Sequence, residues 1–389
     1  MDFALTEAQE QISQEVAALA GRFDAEYWLG KDDRHEYPHE FVEAFAKAGW
    51  LGLMIPEEFG GAGLGITEAA LVLHEICRSG AGTSGASPIH FYMFPPTPLI
   101  KVGSQAMKER YLPHICTGEI VMAFGVTEPN AGTDTSRIET RAERRGDSWV
   151  VNGHKVWTTN AQQANKILLL ARTTPREETP DKPLKGMTLF FADLDRSAIT
   201  VRTISKLGRA AVDSNELFIE NLVVSNDDVV GTVGNGFYHL IDSLNPERIV
   251  IAMEAVGIGR AALARATQYA KERIVFDRPI GKNQAIAHPL AHALAELDAA
   301  ELLCLKAAWL FDQGRPCGRE ANAAKVIAAE AGFNACDAAV QTLGGYGYAK
   351  EFHVERLWRE VRLYKIAPVS QQMALNYLAE HALGLPKSY

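Results

Sequence analysis

The 389-residue chain is poor in cysteine, and the few it has are not arranged to do chemistry. Its five, Cys77, Cys116, Cys304, Cys317 and Cys336, are an odd number with no CxxC pair. That argues against a disulfide framework or a zinc site, and for isolated thiols in a reducing compartment. Positive charge is also in deficit. With 39 basic and 48 acidic residues the net charge is −9, which disfavours a general nucleic-acid binder and an anionic membrane surface. A phosphorylated ligand therefore needs a local basic patch. No apolar run approaches the roughly 20 residues of a membrane span. The opening MDFALTEAQEQ carries Asp2 and no long apolar core, unlike a secretory signal. The expectation is a cytoplasmic protein with no nucleic-acid and no membrane partner. The rest is ordinary globular composition, 47% hydrophobic and 22% charged, with length for two to three domains.

Residues 1–119 read as a helical domain. Thr6 with Gln9 makes a capping box, and Ile12, Val16, Leu19 and Phe23 follow at helical spacing. Phe41, Phe45 and Ala48 mark a further helix stopped by Gly49, and another starts near Thr67. The pattern changes at residue 120. Short β-branched and aromatic runs at 120–126, 149–151, 154–157, 167–171, 187–193, 199–204 and 217–224 suggest a barrel or sandwich over 120–228. Asn152-Gly153 between two of them is the strongest short hairpin signal available. Residues 173–185 read as an exposed excursion. Helix returns over 229–389: the run 249–263 is nearly all apolar and should be deeply buried, with long helices over 287–313, 318–343 and 370–383. The fold class is α+β, an all-β middle between two helical domains.

Two patches carry candidate chemistry. Phe124, Gly125, Val126 and Thr127 lead into a loop of small residues with Gly132, Thr133, Thr135 and Ser136. Glycine at 132 permits conformations closed to other residues, so the loop can press its N–H groups on a planar or anionic ligand; an ordinary turn is the alternative. Lys155-Val156-Trp157-Thr158-Thr159 sets an aromatic residue beside two hydroxyls, which is also consistent with a barrel-core tryptophan. His288, His292 and Glu296 share a helical face and invite a metal check. The rest of a site is missing, so no metal is expected there, and packing or surface histidines are the better reading.

In their order and spacing the two patches resemble the flavin-binding signature of the acyl-CoA dehydrogenase family. The resemblance runs end to end. It includes Gly103 through Leu112-Pro113, Gly234-Asn235-Gly236-Phe237, Arg273-Ile274-Val275-Phe276 leading to Gln284, and Gln341-Thr342-Leu343-Gly344-Gly345. It implies an N-terminal helical domain, a middle β-barrel domain and a C-terminal four-helix bundle. It also implies FAD as cofactor. Phe124, Val126, Thr127, Gly132 and Thr133 would line the flavin, Trp157 would cover one face, and Thr159 would hydrogen-bond near N5. Arg273, Phe276, Gln284, Gln341, Gly344 and Gly345 would reach the cofactor from a neighbouring subunit of a homotetramer, and Ser370 and Gln372 would add contacts. Read locally, Arg273 is equally a helix C-terminal cation.

The implied reaction is α,β-dehydrogenation of an acyl-CoA thioester, with electrons passed to an electron-transfer flavoprotein. Its rivals are an oxygen-using relative and a catalytically silent acyl-CoA-binding protein. The reaction needs a carboxylate beside the thioester α-carbon. Many relatives carry it in a C-terminal Tyr-Glu-Gly-Thr motif, where this chain has Ala367-Pro368-Val369-Ser370. Others place it before an arginine on the buried helix, where this chain has Pro246-Glu247-Arg248. The expected base is therefore Glu247, although an acid in a helix's first turn is also explained by the dipole. Arg248 and Thr133 are expected at the substrate. Proline at 368 removes the N–H that in the family polarises the thioester carbonyl. Tyr92, Met93 and Phe94 are candidates for the acyl pocket.

Overall fold

The computed structural model describes residues 3–241 and 244–388. The chain begins with α1 (Glu7–Ala20), α2 (Ala25–Arg34), α3 (His39–Lys47), α4 (Ile66–Ile76), α5 (Gly82–His90), α6 (Thr97–Val102) and α7 (Gln105–Cys116). At the head of α1, Thr6 accepts from the Gln9 N–H while Gln9 accepts from the Thr6 N–H, the reciprocal cap the sequence predicts. Sequence reasoning missed α2, because Lys31, Asp32, Asp33 and Arg34 break its apolar periodicity. Asp24 caps it by accepting from the Tyr27 N–H at 2.9 Å, and Trp28 buries its apolar face.

The middle of the chain is a mixed sheet of β1 (Met122–Gly125), β2 (Arg141–Arg145), β3 (Ser148–Thr159), β4 (Lys166–Arg172), β5 (Met187–Asp193), β6 (Ile199–Thr203), β7 (Ser214–Ser225) and β8 (Val229–Val230). The order is β6-β7-β3-β2-β4-β5-β8, with β1 parallel to β4. Asn152-Gly153 is not a hairpin. It lies inside the single strand β3, at a register shift against β7 between Val151 and Gly153. The extra residue of the bulge is on β7, where Glu220 and Asn221 (φ 53) stand opposite the single Asn152; Asn152 accepts from the Asn221 N–H at 2.8 Å, and a Cβ at Gly153 would collide with Thr140. The hairpin instead joins β2 to β3 through Gly146, at φ 62.

Strands β4 and β5 are buried on both faces, which is why they read as continuous apolar runs. Successive side chains point to opposite faces. Leu168, Leu170, Leu189 and Phe191 enter the core shared with the helices. Ile167, Leu169, Phe190 and Ala192 enter the sheet's own core.

The C-terminal third holds α8 (Gly236–Ile241), α9 (Leu244–Glu272), α10 (Gln284–Asp312), α11 (Gly318–Leu343), α12 (Val354–Val361) and α13 (Gln371–Tyr377). A short ribbon of β9 (Ile274–Val275) and β10 (Arg278–Pro279) links α9 to α10. Helix α9 is the spine. Gly257 lies against the carbonyl of His74 in α4, and Gly259 against the Cα of Gly332 in α11, so a Cβ at either would collide. These close approaches sink the middle of α9 between the two helical regions. Four of the cysteines are buried and all five are free thiols. No helix among the described residues is long and apolar enough to cross a membrane.

Candidate active site

Glu247 stands in the first turn of α9 and is only 6% exposed. Such a charge is tolerated inside a protein only when paired or hydrogen-bonded. Its partner is not Arg248, whose guanidinium donates to Asn245 at 3.0 Å. The partner is His90, the last residue of α5, with Nε2 2.7 Å from Glu247 Oε2. The other ring nitrogen, Nδ1, lies 2.6 Å from Oε1 of Glu254. Glu254 follows Glu247 by seven residues, two turns along one helix face. One imidazole therefore bridges two carboxylates stacked on α9. Burial opposes a charge on His90, but Glu247 and Glu254 outweigh it and push its pKa up to about 10. At neutral pH it is an imidazolium.

Glu247 also lines a narrow apolar pocket with Met54, Ile66, Met93, Phe94, Thr97, Pro246 and Val250. Met93 and Phe94 are there as expected; Tyr92 is buried but is not in the lining. The Phe94 ring packs edge-on against Phe124 of β1 at 5.3 Å. That contact carries the pocket to the first of the two patches.

The two patches are tied together. Val156 N–H donates to the Thr127 carbonyl at 2.9 Å. The buried Lys155 reaches under the loop to the Val126 carbonyl at 3.0 Å and to Glu128 at 2.8 Å. Burial pulls the Lys155 pKa down to about 8 against the opposing pull of Glu128. Trp157 follows at φ 59 and is 58% exposed, so it stands off the sheet as a bare aromatic plate and is not a core residue. Thr159 accepts from Arg209 at 3.1 Å, and the same guanidinium reaches Ser214 at 2.9 Å and Ser87 of α5 at 3.2 Å. Sequence reasoning missed both His90 and Arg209.

Gly132 does not take up the freedom expected of it: its φ is not positive, and a Cβ there would meet open space. Thr133 beside it is exposed. Arg273, Phe276, Gln284, Gln341, Gly344 and Gly345 are all on the surface, with Phe276 93% exposed. Arg273 stands over the Tyr346 ring at 5.8 Å, which joins the end of α9 to the turn after α11. Among the described residues, no hydrogen bond, ion pair or ring contact connects this group to Trp157 and Thr159. Ser370 uses its hydroxyl to cap α13, accepting from the Met373 N–H, and Gln372 is exposed. His288 and His292 are exposed, and His292 faces Glu296 at 3.5 Å.

Comparison with known proteins decides the family. Models described as "Acyl-CoA dehydrogenase, N-terminal domain", "middle domain" and "C-terminal domain" match residues 6–119, 123–222 and 234–383. The chain belongs to the acyl-CoA dehydrogenase family. It is 37% identical, over 100% of its length and 99% of the relative's, to acyl-CoA dehydrogenase fadE12 of Mycobacterium bovis. It is 34% identical, over 97% of its length and 96% of the relative's, to a 3-(aryl)acrylate reductase of Clostridium sporogenes. A solved glutaryl-coenzyme A dehydrogenase–glutaryl-CoA complex superposes with a TM-score of 0.94 at 31% identity, covering 100% of this chain and 98% of that one. As a member of this family the protein is an oxidoreductase.

The residues fit the flavin cofactor of acyl-CoA dehydrogenases. A flavin needs flat apolar cover and a few fixed polar groups. The bare indole of Trp157 and the exposed ring of Phe276 would suit the first, and the tied hydroxyl of Thr159 the second. Arg273 offers a surface cation suited to a diphosphate. Gly344, at φ 61, and Gly345 both face open space where a Cβ would meet nothing, so a ligand can approach their backbone closely.

Proposed function

We propose that this acyl-CoA dehydrogenase converts an acyl-CoA thioester to its trans-2-enoyl-CoA, with FAD bound between Trp157, Thr159 and the Arg273–Gly345 surface of a neighbouring subunit. The observation that carries the reading is Glu247, a buried carboxylate opening on an apolar pocket that abuts the flavin patch through Phe94 and Phe124. Glu247 takes the proton from the thioester α-carbon. Bound FAD supplies a hydride acceptor for the β-carbon. Arg209 fixes the Thr159 hydroxyl beside that acceptor, and the apolar lining excludes water from the base.

The thioester carbonyl needs a donor that Pro368 lacks. Ala367 N–H is already directed at the Leu363 carbonyl at 3.0 Å. Val369 N–H has no backbone acceptor among the described residues and takes the role. Residues Arg248 and Thr133 remain candidates for substrate contact, Arg248 beside the base in sequence and Thr133 exposed on its loop.

The substrate is a small to medium acyl group, branched or ring-bearing. Two flexible thioethers, Met54 and Met93, let a narrow pocket adapt to such shapes, and the relative named as a 3-(aryl)acrylate reductase handles a ring-bearing acid. Electrons leave to an electron-transfer flavoprotein. The homotetramer is supported by apolar residues left exposed on the bundle, Leu294, Leu302 and Trp309 along one side of α10 and Ile327 on α11.

The test is anaerobic mixing of the purified protein with butyryl-, isovaleryl-, cyclohexanecarbonyl-, octanoyl- and palmitoyl-CoA while flavin absorbance is followed. Bleaching by one or more of the shorter or cyclic thioesters supports the reading. Fast reoxidation in air would favour the oxygen-using relative, and flavin that no thioester bleaches would favour a silent binder. Palmitoyl-CoA far ahead of the others would overturn the substrate class.

A further inference from the structure

His90 belongs to a chain of hydrogen-bonded buried groups. Glu247 Oε2 meets His90 Nε2 at 2.7 Å, and His90 Nδ1 meets Glu254 Oε1 at 2.6 Å. Tyr364, just after α12, donates its hydroxyl to Glu254 Oε2 at 2.6 Å. Thr83 of α5 shares a hydrogen bond with the Tyr364 hydroxyl at 3.1 Å. All five side chains are buried. Both carboxylate oxygens of Glu254 and both ring nitrogens of His90 are occupied. Glu247 differs: among the described residues its Oε1 makes no hydrogen bond, and its side chain lines the pocket.

Charged and titratable groups also surround the chain. Cys77, from the turn after α4, faces Glu254, and burial followed by that carboxylate holds its thiol protonated. Arg209, from the loop before β7, faces Tyr364 and Glu254. Glu360 is paired with Arg356 within α12 at 3.1 Å. Burial and Glu254 hold the Tyr364 hydroxyl protonated, so it donates to Glu254 while its oxygen can accept from Thr83. The network therefore has one polarity. Tyr364 donates to Glu254, and the imidazolium donates to both glutamates.

We propose that His90, locked in place by Glu254 and Tyr364, is a positioning residue for the base: its Nε2–H holds Glu247 Oε2 and leaves Oε1 as the oxygen that receives the α-proton. The proposal rests on Glu247 being the base. Proton uptake on Oε1 leaves the Nε2–H···Oε2 hydrogen bond intact, so the carboxyl group need not turn between its two states. Glu254 is not among the residues that line the pocket. Its part is to keep His90 cationic and to fix the ring.

The test uses the flavin-loaded protein and whichever thioester of the panel above bleaches it fastest. His90→Gln keeps a donor for Glu247 but removes the charge. Its flavin reduction should slow by about ten- to a hundred-fold with little change in substrate affinity. The acid limb of its pH–rate profile should move away from the wild-type position, because the imidazole 2.7 Å from Glu247 is replaced by a neutral amide. Glu254→Gln should move the profile in the same direction by less, and it tests the proposal even if His90→Gln fails to fold. A folded, yellow variant whose profile coincides with wild type overturns the proposal. Glu247→Gln is run beside them. If it bleaches at the wild-type rate, the base assignment itself fails; if it is dead while the His90 and Glu254 variants keep the wild-type profile, the base stands and His90 is only structural.

Discussion

Two buried glutamates in this protein are each held by a buried cation, and they are built to opposite ends. In the sheet domain, Glu128 is saturated. Its Oε1 takes the Lys155 ammonium at 2.8 Å and the Thr140 N–H at 2.9 Å, and its Oε2 takes the Glu139 N–H at 2.7 Å. Desolvation works against its charge, yet these donors together hold its carboxyl below the usual range. It fastens the loop that follows β1 to β3. In the helical region, Glu247 has one oxygen held by His90 and the other directed to an apolar pocket. A fully satisfied carboxylate is a strut, whereas a half-satisfied one at a cavity wall is able to accept a proton.

That contrast is open to direct attack. The largest expected effect is on Glu247→Gln, which keeps size and polarity but removes the basic oxygen. Anaerobic flavin bleaching should fall by roughly a hundred- to ten-thousand-fold with FAD content unchanged. A rate within a few-fold of wild type would place the base elsewhere. The matching change at the strut, Glu128→Gln, should act on stability. It strands Lys155 in the interior, and breaking a buried pair typically costs about 3–5 kcal/mol. A lowered denaturant midpoint would confirm this, with bleaching per flavin-loaded chain largely kept. A midpoint equal to wild type would mean that the pair is dispensable.

Third in size, Arg273→Ala removes the cation expected at the FAD diphosphate. Losing a hydrogen bond to a charged group costs about 1.5–3 kcal/mol, or roughly ten- to a hundred-fold in affinity. Flavin retained after gel filtration measures it; full retention would put the diphosphate elsewhere. The smallest effect is on pH and stability. The folded pKa of His90, about 10, lies above its ordinary value of 6.5. Its contribution is therefore complete below about pH 6.5 and is lost as pH rises towards 10. The gap in melting temperature between wild type and His90→Gln should be widest near pH 6 and shrink towards pH 10. Comparing the two proteins cancels Lys155, Lys206 and Lys325, whose pKa values of about 8 act in the opposite sense. A gap independent of pH would mean His90 is uncharged in the folded protein.

Local signals in the sequence were reliable where the partner was also local. The Thr6–Gln9 cap and the buried run of α9 formed as their neighbours dictate. The Asn152-Gly153 signal misled because a strand partner outranks a turn preference: β7 pairs along β3 straight through this point, bulging at Glu220-Asn221 opposite Asn152. Glu247 was expected from the family's alternative base position, and its hydrogen-bond partner is His90, not the neighbouring Arg248. His90 lies 157 residues from Glu247 and 164 from Glu254, and no spacing rule connects residues so far apart. Arg209 was hidden for the same reason, since Ser87, Thr159 and Ser214 meet only in the folded chain.

The most direct test of the central claim separates proton removal from hydride transfer. An acyl-CoA analogue with sulfur in place of the β-carbon can lose an α-proton but has no β-hydride to give. In deuterated water the wild-type, flavin-loaded protein should exchange the α-hydrogens of such an analogue, and the Glu247→Gln protein, equally folded and yellow, should not. Exchange at the wild-type rate in Glu247→Gln would contradict the account.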